Sequence, residues 1–373
     1  MRASGLADFG GDDFLPALRV LLPALREEAG LTPLGQVIAH GSAVKVLIER
    51  ARVAALLRAN PAIAARPLVP PMVIAGPMRS GTTRLHRLLA QDHRFVHLRF
   101  FEAAFPVPPA PGARDWRPAG AGALLALLRR LNPAIDAIHP TAPMEPDEEL
   151  GLFEHSFWGA QLEAQRPIPS FARWCETADP APAYRWLAVL LRLISQHRGD
   201  DPARPWLLKT PQHMAHLGAL ARAFPGVRII ITHRDPQRVV GSAASLALNQ
   251  MAIQVERPDP AWVGREWLHK THSRVEAMLR DRARLPERQL IDVHYAALEA
   301  NWAGELARIY AWAGMDWPAD VRAAQAAWLA AQARRPRQRA HRYRLEDFAL
   351  SPGQVEERLG AYRAAFAISH ERA

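Results

Sequence analysis

Residues 73–92, VIAGPMRSGTTRLHRLLAQD, constrain the fold more than any other part of the chain. A short apolar run leads into a turn bounded by Gly76 and Gly81, and a helix-forming segment follows. Such a turn directs backbone amides and a helix N-terminus at one spot, which suits phosphate oxygens. The G-x-x-x-x-G spacing is that of a P-loop, but Thr82 stands where that motif has lysine, and Arg79 lies inside the turn.

Strand-and-helix segments recur along the rest of the chain. The pattern predicts three further strands, each followed by a helix, within residues 205–224, 227–248 and 288–314. Thr210-Pro211 and Asp235-Pro236 are typical helix starts, with a capping side chain before a proline in the first turn. Alternating strands and helices predict an α/β, three-layer P-loop-like fold, with a central parallel sheet flanked by helices and a ligand site at its carboxyl edge.

The flanking regions are predicted to be helical additions to this core. Apolar residues recur at helical spacing in residues 14–64, 124–131, 147–163 and 183–196, whereas the Pro- and Gly-rich residues 106–122 are predicted to form an irregular loop. We therefore expect a single domain over residues 1–373. Its parts are a helical N-terminal extension (1–70), an α/β core (71–300) with a central insertion at about 100–200, and a helical C-terminal part (301–373).

Composition narrows the class of protein. The net charge is +10, but the basic residues are scattered arginines with only three lysines, Lys45, Lys209 and Lys270, and no nucleic-acid reading motif accompanies them. We therefore expect no nucleic-acid partner. No apolar run reaches the ~20 residues of a membrane-spanning helix. The acidic N-terminal segment and the single Cys175 lead us to expect a cytoplasmic protein.

The motifs together resemble the sulfotransferases that use 3′-phosphoadenosine 5′-phosphosulfate (PAPS). The resemblance rests on the R-S-G-T-T loop, the segments LLKTPQH and HRDPQRVVGS, the Y-x-x-L junction in IDVHYAALEANW, and HRYRLEDFAL. It extends from about residue 10 to residue 368. One departure is that the proline often found directly before the loop arginine stands at Pro77, which leaves Met78 in that place.

The resemblance implies a donor site. The 5′-phosphosulfate would be held by the loop residues Arg79, Ser80, Gly81, Thr82 and Thr83, and the 3′-phosphate by Arg234 and Ser242, with Arg339 and His341 of the basic run 334–344 as further contributors. Lys209, which ends a strand beside the loop, would stabilise the oxygen between sulfur and phosphate. Arg234 follows the apolar strand of the segment 227–248, where it favours an anion over Mg²⁺, so we expect no metal.

The acceptor side is less determined by sequence. Transfer by in-line displacement to a hydroxyl or amine needs a base, and the resemblance leaves two candidates, Glu102 and His139. Phe101, Phe105 and Trp158 are candidates either for an apolar acceptor pocket or for the core. The acceptor itself, a small molecule, a lipid or a carbohydrate, is not readable from the chain.

Two other functions remain as alternatives. A P-loop kinase or another NTP-dependent transferase would bind Mg-ATP, and the absent loop lysine argues against it. A non-catalytic nucleotide-binding protein would keep the donor pocket without acceptor chemistry. Binding of 3′,5′-adenosine bisphosphate, ATP and AMP discriminates among these functions.

Overall fold

A computed structural model describes residues 7–110, 112–133, 140–334 and 343–371. These residues form two compact units. The helical unit contains the described residues up to Val69 together with Leu98–Ala203 and Ala247–Pro258. The sheet unit contains Pro70–His97, Arg204–Leu246 and the described residues from Asp259 onward.

The sheet unit is built on five parallel strands. They are β1 Met72–Ala75, β2 Val96–His97, β3 Trp206–Lys209, β4 Arg228–His233 and β5 Leu290–His294, in the spatial order β2-β3-β1-β4-β5. The predicted α/β fold with a central parallel sheet is confirmed. The strands β1 and β4 are near-continuous apolar runs because helices cover both faces of a parallel sheet, and Val73 and Ile230 are fully buried.

Helices make up most of the remaining described residues. In chain order they are α1 Leu15–Glu27, α2 Pro33–Ala59, α3 Ala62–Ala65, α4 Thr82–Leu89, α5 Phe100–Ala104, α6 Arg117–Leu131, α7 Leu150–Glu154, α8 Ala160–Gln165, α9 Pro169–Thr177, α10 Ala181–Arg198, α11 Leu217–Ala223, α12 Pro236–Met251, α13 Pro260–Arg282, α14 Tyr295–Ala300, α15 Trp302–Trp312, α16 Ala319–Arg334 and α17 Pro352–Ala365. Short 3₁₀ helices occur at Pro211–His216, Glu287–Gln289 and Leu345–Phe348. No helix among the described residues is both long and apolar enough to cross a bilayer.

The predicted helix starts after β3 and β4 are confirmed in detail. The Thr210 hydroxyl accepts a hydrogen bond from the Gln212 amide, and Asp235 Oδ1 accepts one from the Gln237 amide at 3.0 Å. The turn after Thr210 is a 3₁₀ helix before it continues as α11. Each cap satisfies an amide that has no partner inside its helix.

The predicted secondary structure is wrong in part for two segments of the helical unit. The loop predicted over 106–122 ends at Arg117, where α6 begins, because Pro118 suits the first turn and Asp115 Oδ1 accepts the Arg117 amide at 3.0 Å. The helix predicted over 147–163 is interrupted between α7 and α8. Phe157 takes a positive φ of 48° there, which a continuous helix cannot contain.

Each unit has its own apolar core. In the sheet unit, Ile74 of β1 and Ile230 of β4 pack with side chains of α4 and α15, among them Leu88 and Ile309. In the helical unit the buried cluster joins α1 to α9; it contains Phe14, Leu21, Phe157, Ile168 and Phe171. The sheet core holds the carboxyl ends of β1, β3 and β4 side by side, and Arg79, Lys209 and Arg234 lie at or just beyond those ends.

Candidate active site

The loop between β1 and α4 depends on glycine at both ends. Gly76 has a φ of +150°, and a Cβ there would lie 2.2 Å from Thr232 Oγ1 and 2.8 Å from the Thr232 carbonyl oxygen. Gly81 has a φ of +85°, and a Cβ there would lie 2.8 Å from the Tyr295 ring. The two glycines are therefore required by backbone conformation and by the close approach of β4 and α14.

The Ser80 side chain links the loop to β4 by a hydrogen bond. Its hydroxyl donates to the Pro77 carbonyl oxygen at 2.7 Å and accepts from Thr232 Oγ1 at 2.5 Å, and its side chain is buried. The Ser80 amide also donates to the Pro77 carbonyl oxygen, at 3.3 Å. The Ser80 side chain thus holds the turn closed, while the first amides of α4, from Thr82 onward, are left by helix geometry without partners inside the helix.

Arg79 lies at the centre of the loop in a left-handed conformation, with a φ of +69°. Its Nε donates to Ser242 Oγ at 3.0 Å, and its carbonyl oxygen accepts from Arg234 Nη1 at 2.8 Å. Arg79 of the loop motif is therefore in direct contact with two residues of the separate segment HRDPQRVVGS. They form an arginine-rich cluster beside the N-terminus of α4, the arrangement that phosphate and sulfate groups require.

Arg234 also has a carboxylate partner. Its Nε and Nη2 donate to the two oxygens of Glu371 at 2.7 and 2.8 Å, and its guanidinium lies 4.0 Å above the centre of the Tyr295 ring. Burial alone would lower the pKa of Arg234, but the hydrogen bonds and charge of Glu371 outweigh it and raise that pKa. The guanidinium is positively charged at every physiological pH.

Lys209 reaches the same loop from β3. It is the last residue of the strand, pairs in register with Ile74 of β1, and is 1% exposed. Its Nζ donates to Thr83 Oγ1, in the first turn of α4, at 3.3 Å. A buried ammonium next to the loop is placed to stabilise negative charge with little screening by water.

His86, one turn further along α4, was not singled out by the sequence. It is fully buried, and burial together with the positive charge of Lys209 holds the pKa of His86 well below 6.5. The imidazole is therefore neutral beneath the loop. Its position within the motif RSGTTRLH gave no signal of a role.

Glu102 lies in the helical unit, in the first turn of α5, and is fully buried. Its Oε2 accepts from the Arg99 amide at 3.0 Å and from Arg198 Nη1 at 3.2 Å. Burial raises the pKa of Glu102, and the nearby positive charge of Arg198 reduces that rise. Phe101 and Trp158 are also buried in this unit.

Three sequence candidates fall outside the described residues: His139, Arg339 and His341. Their assignments stay predictions. Among the residues that the structure describes, no group of three or more His, Cys, Asp or Glu side chains is placed to hold a metal ion.

Comparison with known proteins identifies the class of enzyme. A family model described as the sulfotransferase family matches residues 70–319. The chain belongs to the sulfotransferase family. It is therefore an enzyme of sulfuryl transfer, and the predicted family and reaction type are confirmed.

Two solved mycobacterial sulfotransferases share the fold of this sulfotransferase over nearly the whole chain. STF1 from Mycobacterium tuberculosis H37Rv is 28% identical with a TM-score of 0.84, and 96% of each chain is covered. STF9 from Mycobacterium avium is 25% identical with a TM-score of 0.86, covering 100% of this chain and 96% of that one. No curated protein in the comparison matches the chain.

We predict that Gly76→Ala destabilises the protein far more than Gly314→Ala. Both glycines have positive φ, +150° and +62°, but a Cβ at Gly314 meets nothing within 4 Å. Gly314→Ala should cost about 1 kcal/mol of unfolding free energy for backbone strain alone. Gly76→Ala adds a clash with Thr232 and should cost roughly 3 kcal/mol or more, measured by urea unfolding. Equal losses would show that the contact with Thr232 does not constrain the loop.

Proposed function

We propose that the protein is a PAPS-dependent sulfotransferase and that residues 1–373 act as one sulfotransferase domain. The observation that carries the proposal is the convergence of Arg79, Arg234 and Ser242 at hydrogen-bond distances, next to the first turn of α4, where Lys209 contacts Thr83. Two arginines and a serine hydroxyl supply the donors that a doubly phosphorylated nucleotide needs.

The chemistry of these residues fits such a donor. The loop, the first turn of α4 and Arg79 would hold the 5′-phosphosulfate, and Arg234 with Ser242 would hold the 3′-phosphate. Asp235, the acidic residue that follows β4, accepts hydrogen bonds from Arg363 Nη2 at 2.8 Å and from the Glu371 amide at 2.7 Å. The site is thus suited to an anion without Mg²⁺, in contrast to the lysine-and-magnesium sites of nucleoside triphosphate enzymes.

Lys209 would be the electrostatic catalyst. The bound donor supplies a sulfuryl group attached through oxygen to its 5′-phosphate. Negative charge develops on that oxygen as the sulfur–oxygen bond breaks, and the buried Lys209 ammonium would neutralise it most strongly in the transition state. Thr83, which accepts a hydrogen bond from Lys209 Nζ at 3.3 Å, would keep the ammonium oriented toward the loop.

Glu102 is our first candidate for the base that takes the acceptor's proton, with His139 as the second. The raised pKa of Glu102 supports this role, because a general base is most effective when its pKa approaches the working pH. Arg198, at 3.2 Å from Oε2, would keep the carboxylate ionised and fixed. We propose a small-molecule acceptor with a hydroxyl or amine group, which a screen with labelled PAPS would identify.

We predict that the protein binds 3′,5′-adenosine bisphosphate without a metal and prefers it to AMP and to Mg-ATP. Calorimetry measures all three ligands. Ser242→Ala should weaken bisphosphate binding about tenfold through loss of a hydrogen bond to a charged group, and should leave AMP binding unchanged. A preference for Mg-ATP would overturn the proposal in favour of an NTP-dependent transferase, whereas bisphosphate binding without any transfer would favour a non-catalytic protein.

We predict that Lys209→Met lowers kcat by about 10²–10³-fold while bisphosphate binding changes only a few-fold. The loss would fall on the transition state because the charge that Lys209 stabilises develops only there. Lys270→Met is the matched control: Lys270 is 3% exposed in the same unit but pairs with Glu266 at 3.2 Å on α13. Similar kcat losses in both variants would remove the catalytic role from Lys209.

We predict that Glu102→Gln lowers kcat by more than about 10²-fold and abolishes the acidic limb of the pH–rate profile. The wild-type rate should fall as pH decreases through the raised pKa of Glu102, since the base must be deprotonated. Glutamine can still accept the Arg99 amide and cap α5, and Arg198 keeps Asp200 as a partner at 2.9 Å, so the variant should stay folded, as thermal unfolding would check. Glu49→Gln is the control, because Glu49 is also buried in the helical unit but pairs with Lys45 at 2.7 Å.

His139→Ala is measured beside Glu102→Gln. A loss confined to His139→Ala would move the base to that residue. Wild-type rates in both variants would show that neither residue takes the proton.

A further inference from the structure

The residue best placed to receive the donor's 3′-phosphate is already paired with a carboxylate. Arg234 makes a bidentate contact with Glu371, at 2.7 and 2.8 Å, and donates from Nη1 to the Arg79 carbonyl oxygen at 2.8 Å. These contacts use three of the five N–H donors of the guanidinium. A carboxylate and a phosphate present similar pairs of oxygens to an arginine, so Glu371 occupies the kind of position that a phosphate takes.

The side chains of Glu371 and of the neighbouring Asp235 are held by different arginines. Glu371 lies beyond the end of α17, and its amide donates to Asp235 Oδ2 at 2.7 Å. Asp235 is anchored separately, because its Oδ1 accepts from Arg363 Nη2 of α17 at 2.8 Å. The Glu371 side chain can therefore leave Arg234 by rotation about its own bonds while Asp235 and α17 stay in place.

The charges explain why a carboxylate is found there. The Arg234 side chain is 19% exposed, and a guanidinium so far withdrawn from water is stabilised by a counter-charge. Glu371, 26% exposed, supplies it and neutralises the pair. A phosphate that approached Arg234 with Glu371 still in place would find the arginine already neutralised and would be repelled by the Glu371 carboxylate. Simultaneous binding of the phosphate and Glu371 to Arg234 is therefore disfavoured.

We infer that Glu371 is an internal counter-ion that the 3′-phosphate displaces from Arg234. This inference rests on the proposed function, since it takes Arg234 as the 3′-phosphate ligand. The exchange reduces the affinity for every 3′-phosphorylated nucleotide, the donor and the bisphosphate product alike. It leaves nucleotides without a 3′-phosphate unaffected, and it returns Arg234 to a paired state whenever the product departs.

The opposite role for Glu371 would be that of a fixed support. In that case the carboxylate would stay in place and orient the guanidinium on the Tyr295 ring for the phosphate. The two roles predict effects of opposite sign on affinity. Removing a competing carboxylate tightens phosphate binding, whereas removing a support weakens it.

The test is calorimetry on wild-type protein and Glu371→Gln with 3′,5′-adenosine bisphosphate and with AMP. Glutamine keeps the shape of the side chain and removes its charge. We expect the variant to bind the bisphosphate about three- to fivefold more tightly, the upper size expected for release from a partly exposed ion pair, and AMP within about twofold of wild type. Stopped-flow displacement should show slower release of the bisphosphate from the variant.

Glu356→Gln is the matched control. Glu356 also carries a negative charge on α17, but it contacts Arg363, at 3.1 Å, rather than Arg234. It should leave bisphosphate affinity within about twofold of wild type, because Glu356 is exposed, its charge is screened by solvent and its partner is Arg363.

The outcomes separate the inference from the proposed function. Weaker bisphosphate binding by Glu371→Gln would make Glu371 a support, and unchanged binding would show that the phosphate does not compete with it; either result overturns the inference. If wild-type protein shows no preference for the bisphosphate over AMP, the proposed donor site fails whatever the variant does.

Discussion

The contact between Gly76 and Thr232 is the constraint on which the rest of the site depends. It lets the end of β1 approach β4 more closely than any side chain at position 76 would allow, and the Ser80 hydroxyl then fixes the loop to Thr232. The loop is thereby set beside the end of β4, where Arg234 follows directly. Arg79 meets Arg234 and Ser242 because the strands are parallel neighbours, without any long flexible connection.

The sheet unit balances its concentrated positive charge with internal carboxylates at each step. Arg234 pairs with Glu371, and Arg363 pairs with Asp235. On β5, both carboxylate oxygens of Asp292 accept hydrogen bonds from Arg282. Asp292 Oδ1 also contacts His233 Nε2 at 2.8 Å. Burial would raise the pKa of Asp292, but the hydrogen bonds and charges of His233 and Arg282 outweigh burial and hold that pKa well below its usual range. Pairs of this kind let arginines lie at the edge of a buried sheet without unbalanced charge.

Much of the sheet and the loop between β1 and α4 could be predicted from the sequence because their signals are local. The glycine spacing, the apolar run before Arg234 and the Thr210 and Asp235 caps each occupy a few consecutive residues. Contacts between distant residues carry no such signal. Glu371 pairs with a residue 137 positions away and Glu102 with Arg198, 96 positions away, so neither partner was predictable. The break between α7 and α8 was missed because helical apolar spacing continues through it.

Arg79 shows how this loop would respond to selection for thermal stability. It is a non-glycine residue at a φ of +69°, a conformation that costs an L-residue roughly 1–2 kcal/mol and costs glycine almost nothing. Selection for stability alone would favour glycine at this position and would remove the only side chain that links the loop to Ser242 among the contacts described above. At the strained arginine, stability and the proposed anion binding therefore oppose each other. A variant library screened only by melting temperature would lose Arg79 first.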